Sequence, residues 1–342
     1  MDQYEKIITD FDNLYRAFRK SKTRRSYHDS AMYFQLNATR ECEKLRKELL
    51  AHTYKVSGYT SFRVTVPKER EIQACKFRDK VVQHVLCDNL LCPTLPELTI
   101  LDNYAGQKGK GTRFACDRLQ AMMLEYHQEH HDAGYFYKGD IHKYYYSIDH
   151  EIAKQIMHEH YPEMKSAWWL IDEFIDSTKG STGIALGNQI NTVVSCLYLD
   201  GFDRFVKEEL GIRYYGRYAD DFVMIHHDKM YLRECERRIA DYLRNLKLEL
   251  NPKSQISLLR NGIPFLGFHF YIKNGLCIVK LINSKARAYR RKYNRLHRKV
   301  KAGELPRTVL DTSLRSYMAH ASYCTDQRFR LYYNKKEKEL DV

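Results

Sequence analysis

Apolar residues recur at three- and four-residue steps near the start of the chain. Ile7, Ile8, Phe11, Leu14, Tyr15 and Phe18 form one stripe, and a second amphipathic stretch runs through 38–50, so both predict helices. The basic cluster at 19–25 between them reads as an exposed loop. At 59–66 the pattern changes to the alternation YTSFRVTV, which suits a strand that Pro67 closes. Helical spacing returns at 77–91 and again at 114–130, on either side of a glycine-spaced basic loop at 103–112. A strand follows at 134–141 with an aspartate near its end, then a helix at 151–160. Residues 183–207 begin as a glycine-containing turn and become a helix. Residues 212–224 predict an aromatic hairpin with Ala219, Asp220 and Asp221 at its turn. A helix at 231–246, strands near 254–259 and 265–272, and a Lys- and Arg-dense helix at 284–301 complete the series. Strands and helices mix and then give way to helices alone, which predicts an α+β core with helical additions.

Length and composition narrow this picture. A chain of 342 residues with 44% hydrophobic and 29% charged positions supports one lobed body with a sizeable core. No apolar run approaches the roughly 20 residues that span a bilayer, and the N-terminus lacks the apolar segment of a secretory signal, so a cytoplasmic protein without a membrane partner is expected. Nine scattered cysteines with no CxxC pair indicate reduced thiols, neither a disulfide framework nor a zinc ribbon. His127 and His131 lie four apart, but no third ligand accompanies them or His226 and His227, and all four read as surface residues. The net charge of +14 favours a polyanionic partner, because neutralising phosphates releases counterions; nucleic acid leads.

The chemistry gathers on three carboxylates. Asp140 ends a predicted strand, and Asp220 and Asp221 occupy a hairpin turn between hydrophobic strands. Adjacent like charges beside a core are costly unless a cation neutralises them. Magnesium prefers carboxylate oxygens and retained waters, and phosphoryl transfer from a triphosphate uses two such ions roughly 4 Å apart. The loop at 103–112 does not have the GxxxxGK[ST] spacing of a P-loop.

These motifs together resemble those of reverse transcriptases. YADD at 218–221 resembles the family's YxDD box, and GDIHKYYYSIDH at 139–150 its first palm motif. VPKER at 66–70 is similar to the fingers motif that meets the incoming triphosphate, and FRDKVVQH at 77–84 to the helix after it. NYA at 103–105 with GKG at 109–111 resembles the next finger segment, and GIALGN at 183–188 the glycine motif that opens the palm helix. LELNPK at 248–253 resembles the fourth palm motif, and FLGF at 265–268 the primer grip. Within the family the likeness is greatest to prokaryotic enzymes of diversity-generating retroelements, group II introns and antiphage defence. One departure is the Leu186 that stands where intron enzymes usually have glutamine; another is Asn191 and Thr192 where the retroelement enzymes have Ser-Gln.

The resemblance implies a right-hand polymerase, α+β in class, with an antiparallel palm sheet of RRM-like or ferredoxin-like form. N-terminal helices and fingers would occupy 1–133, with fingers continuing into 151–182. The palm would take 134–150 and 183–280, and a helical thumb 281–342. It implies Asp140, Asp220 and Asp221 as catalytic carboxylates holding two Mg2+ ions, or Mn2+, with the Ile141 carbonyl as a further ligand. It also implies Lys68, Arg70, Tyr145, Leu186, Gly187 and Lys253 at the nucleotide. Tyr145 matches the steric gate against a ribose 2′-hydroxyl, with a core aromatic as the other reading. Lys253 is either a proton donor to pyrophosphate or part of a plain turn. Lys285, Arg287, Arg290, Arg291, Arg295 and Arg298, interleaved with Tyr289 and Tyr293, would line the template–primer duplex. The implied partners are an RNA template, expected to be a dedicated noncoding RNA, a DNA primer or product, and dNTPs; with no evident processing or integration module, an accessory protein is expected as well. Template-independent or protein-primed synthesis, a noncatalytic RNA-binding scaffold and a nucleotidyl cyclase are the competing readings. The cyclase would not need the basic C-terminal helix.

Overall fold

The computed structural model describes residues 1–23, 29–65, 69–131, 133–325, 332–334 and 336. The N-terminal stripe forms two helices, Gln3–Thr9 and Phe11–Ser21, because Asp10 interrupts it and caps the second by accepting from the Asn13 amide. The second helix runs on through Arg19 and Lys20, so the basic cluster begins inside a helix; residues 24–28 lie outside the described set. Helices Asp29–Leu36 and Ala38–Leu50 follow.

Strand β1 (Tyr59–Val64) pairs antiparallel with β2 (Arg70–Cys75), a partner that its weak alternation had not revealed. Helix Phe77–Leu86 passes through a wider turn at Cys87–Leu91 into helix Cys92–Leu98. Beyond the glycine-rich loop comes helix Thr112–His130.

A four-stranded antiparallel sheet forms the centre. Its strands are β3 (Tyr135–Asp140), β4 (Tyr214–Tyr218), β5 (Asp221–His226) and β6 (Gln255–Leu258), in the spatial order β4-β5-β3-β6. With helices between β3 and β4 and helix Lys229–Asn245 between β5 and β6, this is the βαββαβ arrangement of a ferredoxin-like sheet. Alternation along the strands separates two cores. Tyr137, Tyr215, Phe222 and Met224 face helices Gln189–Leu197, Asp200–Arg204 and Lys229–Asn245, in one core shared with the N-terminal helices. Phe136, Tyr214, Val223 and Ile225 face helix Thr112–His130 and a second sheet.

That second sheet corrects the single strand expected at 265–272. The chain reverses at Leu266 and Gly267, both at positive φ, so β7 (Ile263–Phe265) and β8 (Phe268–Lys273) form a hairpin with β9 (Leu276–Leu281) beyond it. Helices Asn283–Lys301 and Arg307–Ala321 pack separately around Tyr293, Leu310, Leu314 and Tyr333. Among the described residues no helix is long and apolar enough to cross a membrane, and all nine cysteines are free.

Candidate active site

Strand register brings the distant aspartates together. Asp140 and Asp221 are directly paired on β3 and β5, so their side chains leave the same face, the one that carries Phe136, Val223 and Ile225. Asp220 sits one residue earlier in the β4–β5 turn, and its carbonyl accepts from the Ile141 amide at 3.2 Å. Gly139 is required beside Asp140: a Cβ there would lie 2.1 Å from the Phe222 ring.

Each carboxylate has a different environment. Asp140 accepts from Asn251 Nδ2 at 2.6 Å, while the Asn251 amide donates to the Asp140 carbonyl at 2.7 Å and Ser254 Oγ accepts from the Asp140 amide. Asp221 Oδ1 stands 3.4 Å from Lys138 Nζ, whose side chain shares the face of Asp140 two residues along β3. The Asp220 carboxyl is pushed up from 3.8 to about 6, first by burial and then by the charges of Asp140 and Asp221, with Arg70 opposing.

The donor chemistry suits a hard divalent cation: three carboxylates meet at one sheet end, and the most enclosed of them resists ionising alone. Among the described residues, however, no group of three His, Cys, Asp or Glu side chains is arranged to hold a metal. Asp140 accepts from Asn251 and Asp221 lies beside Lys138, so a cation would share these carboxylates with both side chains. Asn251, Ser254 and Lys138 were missed from the sequence, though Asn251 lies within the 248–253 motif and Ser254 directly follows it.

A pH dependence follows from Asp220. Between about 4 and 6 the folded protein keeps a proton that the unfolded chain has released, so raising pH through that window destabilises the cation-free fold, and the cost is complete above about 6. Melting temperatures in chelator should therefore fall in the wild type relative to Asp220→Asn across this window and run parallel above it. A constant difference from pH 4 to 6 would remove this assignment.

Of the expected nucleotide residues, Arg70 and Tyr145 lie within electrostatic reach of Asp220. Arg70 opens β2, is exposed, and its charge acts on Asp220. Lys68 lies outside the described residues. Of the consecutive tyrosines, Tyr144 is fully buried and donates to the Ser195 carbonyl, and Tyr146 is half exposed beside Glu71 of β2. Tyr145 lies between them, partly buried, accepting from Ser195 Oγ and close enough to Asp220 for the carboxylate to raise its pKa further after burial. Leu186 is half-buried, and the exposed Gly187 at φ 105° faces Ile72 of β2. Lys253 is exposed, its amide donating to Asn251 Oδ1 in a turn.

On helix Asn283–Lys301 the six cations expected at nucleic acid are all exposed. Tyr289 and Tyr293 do not join them: Tyr293 is buried, and Tyr289 stacks on Tyr317 at 3.6 Å, so both serve packing. Lys285 lies over the β7–β8 turn, where the missing side chain of Gly267 leaves room for its Nζ. His130, His226 and His227 stack on one another at the end of β5 far from the aspartates.

The profile of a family described as reverse transcriptase (RNA-dependent DNA polymerase) matches residues 65–270, more than half of the chain. No curated protein matches. Among solved structures, apo telomerase from Candida tropicalis is similar at 13% identity over 66% of this chain and 49% of that one, with a TM-score of 0.51. Telomerase from Candida albicans in complex with the TWJ fragment of telomeric RNA is similar at 9% identity over 67% and 46%, with a TM-score of 0.50. The chain spans about half the length of these structures, and at such identities the likeness is one of fold, that of a right-hand polymerase.

Proposed function

Since this chain belongs to the reverse transcriptase family of RNA-dependent DNA polymerases, we propose that it copies an RNA template into DNA, adding dNTPs to a primer at the edge where Asp140, Asp220 and Asp221 meet. The pairing of Asp140 with Asp221 across β3 and β5, with Asp220 one residue away, carries this reading. Two Mg2+ ions held by these aspartates and the Ile141 carbonyl would supply activation of the primer hydroxyl and neutralisation of the departing pyrophosphate. Arg70 and Lys68 hold the triphosphate by charge-assisted hydrogen bonds, and Tyr145 closes the space beside the sugar. Lys253, on its turn, donates a proton to the pyrophosphate. Fingers occupy 1–133 and 151–182, palm 134–150 and 183–280, and thumb 281–342. The exposed cations of the thumb helix hold the template–primer backbone without reading its sequence.

The source we favour is a prokaryotic retroelement or antiphage-defence system, in which the enzyme works in the cytoplasm from a dedicated noncoding RNA with an accessory protein. The motif likeness supports the prokaryotic source, and the nine free cysteines suit a reducing compartment such as the cytoplasm. Sequencing the nucleic acid that copurifies with the protein, and the DNA it makes from dNTPs and Mg2+, tests the proposal. A copy of the bound RNA supports it; a homopolymer made without RNA points to template-independent synthesis, and no product at all to a scaffold.

Leu186 brings an apolar side chain to a position where related enzymes carry an amide. Leu186→Gln is expected to lower misincorporation by roughly 3- to 10-fold, the range that one added polar contact supplies. Error rates from deep sequencing of products decide this, and equal rates in the two proteins reject it.

A further inference from the structure

Beneath the catalytic turn lies a charged pair that the chemistry described so far does not use. Arg217 and Asp203 are both fully buried. The Arg217 side chain leaves β4 on the helix-packed face, and its fork meets Asp203 twice: Nε to Oδ1 and Nη2 to Oδ2, each at 2.6 Å. Tyr215 donates to the same Asp203 Oδ1 at 2.5 Å, and Arg217 Nη2 also donates to the Cys196 carbonyl. The remaining nitrogen, Nη1, donates to the carbonyl of Ala219 at 2.9 Å. One guanidinium thus joins helix Asp200–Arg204, the end of helix Gln189–Leu197 and the β4–β5 turn.

Stability alone accounts poorly for this arrangement, since apolar residues of similar volume often replace a buried ion pair without loss. The turn supplies a reason. Ala219 has φ 54°, a left-handed conformation that disfavours a residue with a Cβ. The Ala219 carbonyl and the Asp220 nitrogen belong to one planar peptide, so holding the oxygen sets the direction from which the Asp220 side chain departs. A lysine ammonium lacks the fork that grips Asp203 in two places and still reaches a third acceptor.

We propose that Arg217, held in place by Asp203, is a positioning residue that fixes the Ala219 peptide and so aims the Asp220 carboxylate into the catalytic site. The proposal rests on the polymerase reading of that site. The backbone supports the same point from outside: the Arg217 amide donates to the Asp102 carbonyl, and its carbonyl accepts from the Tyr104 amide, both at 2.9 Å.

The test uses the full chain with Asp203→Leu combined with Arg217→Met, and separately Arg217→Lys. The double variant is expected to melt cooperatively near the wild-type temperature. Its kcat should fall about 10²-fold, as for a catalytic group misplaced by about 1 Å, with KM for dNTP within about twofold. Its affinity for Mn2+, read from the EPR signal of the free ion, should weaken by roughly 10-fold, the effect of losing support behind a ligand. Arg217→Lys should show the same split, smaller by about a factor of ten in kcat. Wild-type kcat and Mn2+ affinity in a folded double variant overturn the proposal, as does a loss of kcat that disappears on cooling along with the melting defect. If the double variant does not fold, wild-type values in Arg217→Lys overturn it equally. A wild-type protein that extends no primer sinks the polymerase reading instead, and is told apart because the Mn2+ comparison needs no turnover.

Discussion

Asp220→Asn is expected to lower nucleotide incorporation by at least about 10³-fold, the scale on which removing a preorganised charge from a phosphoryl-transfer site acts. The substitution keeps the size of the side chain and the turn that carries it. It removes a carboxylate whose ionisation burial and the neighbouring Asp140 and Asp221 already oppose. The variant should therefore be as stable as the wild type or more so at pH 8 in chelator, since the charge it lacks is one that the fold tolerates poorly. Loss of activity with retained or raised melting temperature separates a chemical role from a structural one. Single-nucleotide extension of a labelled primer on an RNA template measures it, and extension by Asp220→Asn within tenfold of wild type would remove Asp220 from the chemistry.

The second large effect is on sugar selection. On the proposed steric-gate role, Tyr145→Val is expected to reduce discrimination against ribonucleotides by on the order of 10²-fold, because exclusion by a clash is lost with a smaller side chain. The Tyr145 hydroxyl accepts from Ser195, which holds the ring in place, and the residue is close enough to Asp220 to feel its charge. Tyr145→Phe keeps the ring and should keep the selectivity, so the pair isolates volume from hydrogen bonding. Ratios of kcat/KM for dNTP over rNTP in the three proteins decide it. A Tyr145→Val enzyme that still rejects ribonucleotides as the wild type does would hand the role to another residue. Tyr144→Val is a poor choice for comparison, because Tyr144 is fully buried and its loss opens a core cavity.

Much of this was legible before any coordinates, for identifiable reasons. Periodicity located helices Ala38–Leu50, Thr112–His130, His150–His160, Lys229–Asn245 and Asn283–Lys301 to within a few residues, because each pays for its packing with one apolar face. It also placed Asp140 at a strand end and Asp220 at a hairpin turn, while Asp221, expected in that turn, is the first residue of β5. It failed where the signal was shared or absent. Strand β2 (Arg70–Cys75) alternates weakly, since it is a two-stranded ribbon with little buried on either side. The strand expected at 265–272 is two strands, because Leu266 adopts a left-handed turn conformation that its apolar side chain conceals.

Local sequence could determine the type of most elements, the residues that bear charge, and the family to which they point, since all of these follow from periodicity, composition and short motifs. Tertiary structure alone decided which groups meet. Asp140 and Asp221 are 81 positions apart in sequence (221 − 140) and become neighbours only through strand register. Asn251, Lys138 and the buried Arg217–Asp203 pair acquire their relation to the aspartates in the same way. Tyr289 and Tyr293 of helix Asn283–Lys301 show the converse: spaced among cations, they pack inward because one helix can bury only the face that its neighbour covers. Pairing across a sheet and the choice of helix face depend on contacts between residues far apart in the chain, and no window of local pattern contains them.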